Sequence, residues 1–153
     1  MFSFTGQYEV KVDGKGRLRL PSDLLRQIPE DTNTKYVINK GLDKCLRLYP
    51  MTQWNSVTAE MNKNLSWFQS KERTFARYFF QAAAQVEVDS NDRIIIPKRL
   101  IDDIGIQAEV VIIAFGEVIE IWNSEEFYNN IAKEPEDFAN MADEIWSKIN
   151  NNK

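Results

Sequence analysis

Two short segments of the chain share a pattern of charged residues that could bind a ligand. Asp13 and Arg17 stand four residues apart in DGKGR, and Asp89 and Arg93 stand four residues apart in DSNDR. Aspartate favours the first position of a turn, and an Asp–Arg pair across a turn is a common salt bridge. We therefore expect both motifs to shape the loops that contain them. The residues predicted to have this structuring role are Asp13, Gly14, Gly16, Asp89 and Arg93.

The first loop also carries enough positive charge to bind an anion. Lys11, Lys15, Arg17 and Arg19 lie within nine residues of one another, among glycines. A cationic hairpin with little side-chain bulk can approach DNA phosphates and insert arginine into a groove, as β-ribbon proteins that bind DNA do. We predict that these four side chains bind DNA. The second loop keeps only Arg93 as a cation, so we expect it to contribute less.

The composition excludes most catalytic chemistry. The 153 residues contain no His, which removes the commonest general base, the commonest transition-metal ligand and every His-activated nucleophile. Cys45 is the single cysteine, so no intramolecular disulfide can form, and we expect this side chain to be buried packing. Asp13 and Asp89 could form a carboxylate pair, but the arginine four residues after each would lower its pKa and spoil it as a general acid. We expect no enzyme, no metal and no cofactor.

The distribution of charge matters more than its total. The formal net charge is −4, which by itself argues against a nucleic-acid partner. Residues 1–49, however, hold nine Lys and Arg against six Asp and Glu, whereas residues 50–153 hold ten against seventeen. The positive charge is therefore concentrated near the first loop. No basic and apolar leader opens the chain and no run of about 18 apolar residues occurs, so we expect a cytoplasmic protein without a membrane partner.

An internal repeat places the two motifs at equivalent positions. YEVKVDGKGRLRLPSDLL at 8–25 aligns without gaps on AQVEVDSNDRIIIPKRLI at 84–101, and LRLYPMTQW at 46–54 is similar to IEIWNSEEF at 119–127. Each copy has the pattern β, β, short α, β, β. Alternation at Tyr8, Val10 and Val12 predicts a strand, and Leu18 and Leu20 predict its return strand.

Further elements follow from local patterns. We predict strand pairs at 36–40 with 45–49 and at 109–115 with 118–122, and helices over 67–83 and 136–149. Pro21 and Pro97 suit the first turns of short helices, Gly105 suits a helix end, and Thr52 suits a helix cap.

These patterns predict an α+β fold in which neither repeat can bury its apolar face alone. Two copies related by a pseudo-twofold axis could interleave their strands into one closed barrel. We expect a single domain over 1–153, with a first repeat at 7–54, a helical connector at 55–82, a second repeat at 83–130 and an acidic C-terminal helix and tail at 131–153.

Four segments together resemble the MraZ family of bacterial transcriptional regulators over about residues 1–130. They are MFSFTGQYEVKVDGKGRLRLP, GLDKCLRLYPMTQW, FARYFFQAAAQVEVDSNDRIIIPKRL and FGEVIEIW. The resemblance implies an AbrB-like, swapped-hairpin, double-split β-barrel made from the two repeats. It implies DNA contacts in the first hairpin, here Lys15 and Arg17 with Arg19 as an extension. Asp92 stands where the family usually has Gly, which makes a DNA contact by Arg93 less expected.

The same resemblance implies a function and partners. It implies a ring-shaped homo-oligomer that binds short direct repeats in double-stranded DNA, upstream of the division and cell-wall gene cluster. It further implies repression of that cluster and of the protein's own gene, in the cytoplasm at the nucleoid. The alternative interpretation is a protein–protein scaffold, or an antidote-like oligomeric module, built on the same barrel.

Overall fold

The computed structural model describes residues 2–29 and 34–152 of the chain. Its strands are β1 (Phe4–Lys11), β2 (Arg17–Arg19), β3 (Lys35–Lys40), β4 (Leu46–Pro50), β5 (Ala84–Glu87), β6 (Arg93–Ile95), β7 (Glu109–Gly116) and β8 (Val118–Asn123). Its helices are α1 (Ser22–Arg26), α2 (Met51–Asn64), α3 (Ser70–Ala82), α4 (Lys98–Ile104), α5 (Ser124–Glu126) and α6 (Phe138–Asn151), with a π-helical turn at Phe127–Ile131 after α5. The architecture is mixed α+β, as the sequence predicts. Position 153, the end of the predicted tail, lies outside the described residues.

The strands form one large antiparallel sheet and one small ribbon. The six-stranded sheet has the order β1-β7-β8-β4-β3-β5, and β2 pairs with β6 in a separate two-stranded ribbon. The predicted local pairs are confirmed, because β3 pairs with β4 and β7 pairs with β8.

The predicted return strand forms, but it pairs with the first strand only at the hairpin tip and not along its length. β1 pairs along its whole length with β7 of the second repeat, from Phe4 opposite Gly116 to Lys11 opposite Glu109. β2 pairs instead with β6, and the described residues of the hairpin meet at its tip, through the bridge between Val12 and Leu18 and the hydrogen bond from Asp13 N to Arg17 O. Each repeat thus uses strands of the other to satisfy its backbone hydrogen bonds, which binds the two copies into one unit.

One hydrophobic core lies between the ribbon and the sheet. Leu18 and Ile94 at the centre of the ribbon are completely buried, and they belong to the same cluster as Ile38 in β3 and Ile112 in β7. Alternate residues of β1 face this cluster, which explains the period-2 pattern of its sequence. The ribbon is therefore held from beneath by the core, and its other face is turned to solvent.

The helices begin and end close to the predicted residues. α1 and α4 follow Pro21 and Pro97 directly, and α4 ends at Gly105 in the left-handed conformation with φ +68°. The predicted cap at Thr52 is wrong, because α2 already begins at Met51 and has no side-chain cap. In the described part of the chain, no helix is long and apolar enough to cross a membrane.

Candidate nucleic-acid interface

The first loop is ordered by the carboxylate of Asp13. Its Oδ1 accepts hydrogen bonds from the backbone N–H groups of Lys15 and Arg17, both at 2.9 Å, and its Oδ2 accepts one from Arg17 Nε at 2.7 Å. The backbone N–H of Gly16 closes the turn onto Asp13 O, and Gly16 itself has φ +81°. These contacts favour the charged carboxylate, above all the hydrogen bond from the Arg17 backbone, and they lower the pKa of Asp13.

The second loop has the same geometry. Asp89 Oδ1 accepts from the backbone N–H groups of Asn91 at 2.8 Å and Arg93 at 3.0 Å, and Asp89 Oδ2 accepts from Arg93 Nε at 3.0 Å. The pKa of Asp89 is lowered as well, with the backbone hydrogen bond from Arg93 as the largest cause. Asp92 occupies the position of Gly16 and takes the same left-handed conformation, with φ +61°. The Asp-x-x-x-Arg pattern thus specifies one loop shape, although its interior residues differ.

The two loops meet through the ribbon. Arg17 lies opposite Ile95, Leu18 opposite Ile94, and Arg19 opposite Arg93. Because successive side chains of a strand point to opposite faces, burial of the central pair turns the outer four toward solvent. The outward face therefore consists of Arg17, Arg19, Arg93 and Ile95.

The loops are attached to opposite ends of this ribbon. Ile96 N donates to Gly16 O at one end, and Leu20 N donates to Asp92 O at the other, both at 2.8 Å. Each end is consequently built from both repeats.

The ribbon changes which of the predicted DNA-binding side chains lie side by side. Arg19, predicted as an extension of the first loop, lies at the end of the ribbon that the second loop closes. Arg93 lies directly across from it, and a cavity of about 500 Å³ is lined by Lys11, Arg17, Arg19 and Arg93 together. In the sequence, Arg93 stands apart from the other three because it is the only cation of the second loop and because Asp92 precedes it. Because alternate residues of a strand face opposite sides, burial of Ile94 indicates that Arg93 and Ile95 point outward.

The arginines of both loops keep their terminal amines available. Arg17 and Arg93 each use Nε for the aspartate of their own loop, at 2.7 Å and 3.0 Å. Within residues 2–29 and 34–152, neither has a further hydrogen-bond partner at its Nη atoms, and Lys15 and Arg19 have no ion-pair partner. A guanidinium held at Nε presents its two terminal amines as a fixed fork, the geometry that binds phosphate or a guanine edge in a bidentate way.

Cys45 is packing, as predicted. Its side chain is buried against Val111, Trp122 and Phe127. Burial raises the pKa of the thiol to about 12, and the nearby carboxylate of Glu120 contributes to the rise. A thiol that stays protonated at neutral pH is a poor nucleophile, so Cys45 is not a candidate functional residue. The candidate site is therefore the cationic β2–β6 ribbon.

Comparisons with known proteins agree with the two-repeat organisation. The family model described as "MraZ protein, putative antitoxin-like" matches residues 3–78 and again residues 79–147. The chain is 38% identical over 146 residues to the "Transcriptional regulator MraZ" of Christiangramia forsetii, a match that covers 95% of this chain and 94% of that protein. It is 32% identical over 151 residues to the protein of the same name from Flavobacterium psychrophilum, covering 98% and 96% of the two chains.

Proposed function

The chain belongs to the MraZ family of transcriptional regulators, which are not enzymes, and from this premise we propose that it is a sequence-specific DNA-binding repressor. Its targets are short direct repeats upstream of the division and cell-wall gene cluster, including its own promoter, at the nucleoid. The observation that carries the proposal is the β2–β6 ribbon, whose outward face bears three arginines while its inner face is fixed on the core.

The ribbon has the two-stranded form and the preorganised loop that suit DNA binding. The major groove of B-DNA is about 12 Å wide and admits a two-stranded β-ribbon. Arg17 binds a guanine edge or a phosphate with its terminal amines, while Lys15 and Lys11 bind phosphates beside the groove. Because Asp13 already fixes the backbone of the loop and the Arg17 side chain, little conformational entropy is lost on binding.

We assign the protein core to a swapped-hairpin, double-split β-barrel. Two contacts support this assignment: the bridge from Val12 to Leu18 connects the ribbon to the end of β1, and the inner residues of the ribbon share a core with the sheet. The repeats at 7–54 and 83–130, the connector at 55–82 and the C-terminal segment at 131–153 are the proposed divisions.

Self-assembly into a ring is supported by the surface of α6. None of its residues is buried, and five large apolar side chains are 41% to 62% exposed. They are Phe138, Met141, Ile145, Trp146 and Ile149. A contiguous apolar stripe of this kind marks an interaction surface. One loop makes few phosphate contacts and binds DNA weakly at physiological salt, so several loops on one ring raise the affinity through effective concentration.

The test of the assembly is sedimentation of the full chain. Ile145→Asp, in the apolar stripe, should reduce the assembly to smaller species, whereas Ser147→Asp on the opposite side of α6 should leave its mass unchanged. An unchanged mass for Ile145→Asp would remove α6 from the interface.

The test of the DNA site is a mobility-shift titration with duplex DNA from upstream of the protein's own gene. Arg17→Ala should weaken binding about 5- to 150-fold per site, the loss of one bidentate base contact. Lys15→Ala should weaken binding to all sequences alike and reduce the salt slope by about 1, as for a phosphate contact. Wild-type affinity in both variants would refute the assignment of the loop.

Two comparisons make this titration specific. Arg26→Ala is the matched control, because it removes an arginine away from the first loop. The neighbouring Gln27 is hydrogen-bonded to the backbone of Thr5, which lies at the end of β1 opposite Lys11. Arg93→Ala should reduce the affinity less than Arg17→Ala, because the carboxylate of Asp92 in its loop repels phosphate.

A scaffold or antidote-like module remains the second candidate, and the exposed apolar stripe of α6 favours it. The dependence on salt separates the two functions. DNA affinity that falls steeply with salt supports the repressor, because counterions are released from phosphates. Salt-insensitive capture of a protein partner, without DNA binding, supports the scaffold.

A further inference from the structure

One outward position of the β2–β6 ribbon carries an apolar side chain. Ile95 is 58% exposed and lies directly opposite Arg17. The other outward residues of the ribbon are arginines, and the equivalent position of the first repeat is Arg19. Exposure of a large β-branched side chain costs free energy unless a ligand covers it, and the other three outward side chains of the ribbon are arginines.

The surroundings of Ile95 combine apolar and charged groups. Ile95 lines a cavity of about 330 Å³ beside the tip of the first loop, whose wall also contains Gly14, the cations Lys15 and Lys98, the carboxylates Asp13 and Asp102, and the apolar Ile96, Pro97 and Ile101. Lys98 is paired with Asp102, whereas Lys15 has no ion-pair partner within the described ranges. A side chain added at Gly14 would meet no atom within 4 Å, so the backbone there is open to a ligand. A ligand on this face must therefore satisfy Lys15 and Arg17 while it covers one aliphatic group.

Thymine in the major groove has this combination of properties. Thymine is the base with a C5-methyl group. This methyl group projects into the major groove beside the hydrogen-bonding edges of the neighbouring bases, between the two phosphate backbones. Side chains directly opposite on paired strands have Cβ atoms about 4.5–5.5 Å apart. Successive bases are about 3.4 Å apart along a strand, so two such side chains reach bases one or two steps apart.

We propose that Ile95 is a specificity-determining residue that packs on the C5-methyl group of a thymine next to the base bound by Arg17. The proposal rests on the proposed DNA-binding function and adds a base preference to it. It also gives the ribbon a direction. The end that carries Arg17 and Ile95 discriminates between bases, whereas the outward side chains at the other end, Arg19 and Arg93, are both cations. The broken symmetry of the repeats thus fixes the orientation of the chain on DNA.

The experiment removes the methyl group without altering the hydrogen bonds of the base. The probe is the duplex that footprinting protects within the DNA upstream of the protein's own gene, with each thymine replaced singly by deoxyuridine. At one thymine in each direct repeat we expect the affinity of the wild-type protein to fall about fourfold, the value of one buried methyl group. Ile95→Ala should bind the thymine duplex less tightly by a similar factor and should lose no further affinity when that thymine becomes deoxyuridine.

Controls separate this inference from the function on which it rests. Ile131→Ala removes another exposed isoleucine, in the π-helical turn, and should keep both the wild-type affinity and the sensitivity to deoxyuridine. Sensitivity that persists in Ile95→Ala, or no sensitive thymine in the wild type, overturns the proposal. Loss of binding in Arg17→Ala would still support the DNA function in that case. No DNA binding by the wild type would overturn both.

Discussion

Substitutions at the turn position of the two loops should change stability in opposite directions. Gly16 and Asp92 occupy equivalent positions and have φ +81° and φ +61°. An L-residue in this left-handed region costs about 1–2 kcal/mol. Asp92 already bears this strain, although Asp is among the residues that tolerate it best. Gly16 bears no such strain, because glycine has no Cβ.

For Gly16→Ala the structure adds a steric cost to the strain. The new Cβ would lie 2.8 Å from the backbone oxygen of Ile96 and 3.1 Å from Cδ1 of Ile101. Ile96 must therefore move, and its N–H donates to Gly16 O, a hydrogen bond worth about 1 kcal/mol. Alanine also lowers the conformational entropy of the unfolded chain, which offsets about 0.4–1 kcal/mol of this loss of stability. The free energy of unfolding should fall by about 1–3 kcal/mol in total.

For Asp92→Gly the two contributions have opposite signs. Relief of the left-handed strain stabilises the folded chain by about 1 kcal/mol or slightly more. The added freedom of glycine in the unfolded chain costs about 0.5–1 kcal/mol. The variant should therefore lie between wild-type stability and a gain of about 1 kcal/mol.

The assay is urea denaturation of both variants at one protein concentration, because the concentration of an oligomer affects its midpoint. A DNA titration accompanies it, since displacement of Ile96 also displaces the loop that orients Arg17. Gly16→Ala should lose DNA affinity, and Asp92→Gly should keep or raise it, because it removes a carboxylate that repels phosphate. Wild-type stability for Gly16→Ala, or a clear loss for Asp92→Gly, would refute the strain argument.

Three further predictions concern single groups. Cys45, with its pKa raised to about 12 by burial, should resist iodoacetamide at neutral pH and react only at the rate of unfolding, as mass spectrometry can follow. Within the described residues Tyr36 Oη is buried without a hydrogen-bond partner, so Tyr36→Phe should raise the urea midpoint and the free energy of unfolding by about 1 kcal/mol; a lower midpoint would contradict this. Asp13 and Asp89 have pKa values below the ordinary 3.8, because backbone N–H groups bond their charged forms. Their contribution to stability should be complete above the ordinary value and be lost as the pH falls through the lower folded values; a carboxyl-carbon NMR titration measures the folded pKa values, and urea denaturation at several pH values measures the stability.

Local features of the site were predictable because short stretches of chain specify them. The Asp-x-x-x-Arg spacing predicts the loop in which Asp13 bonds the backbone of Arg17, and the structure has that loop twice. The alternation in β1 and the β3–β4 and β7–β8 pairs follow from periodicity and short connections. The buried position of Cys45 follows from its small apolar character and the lack of a histidine partner.

An interleaving of the two repeats was expected, but the partner of each strand and its register were not predictable in this way. The pattern around Val12 and Leu18 is equally compatible with a simple hairpin and with strands exchanged between the repeats, because periodicity defines which face of a strand is buried and not which strand lies beside it. The exchange is favoured in the structure because it pairs β1 with β7 over eight residues and places both halves of the ribbon on one core.

By itself, the sequence determined the chemistry of this protein: no histidine, two aspartate-ordered loops, and cations concentrated in the first of them. Only the tertiary structure decided how those groups are combined. The register of β2 on β6 placed Arg19 opposite Arg93 and Ile95 opposite Arg17, so that each end of the ribbon contains residues of both repeats. The physical reason is that a strand can satisfy its backbone hydrogen bonds with any partner of suitable shape, and the choice among partners depends on the common core that all eight strands bury together.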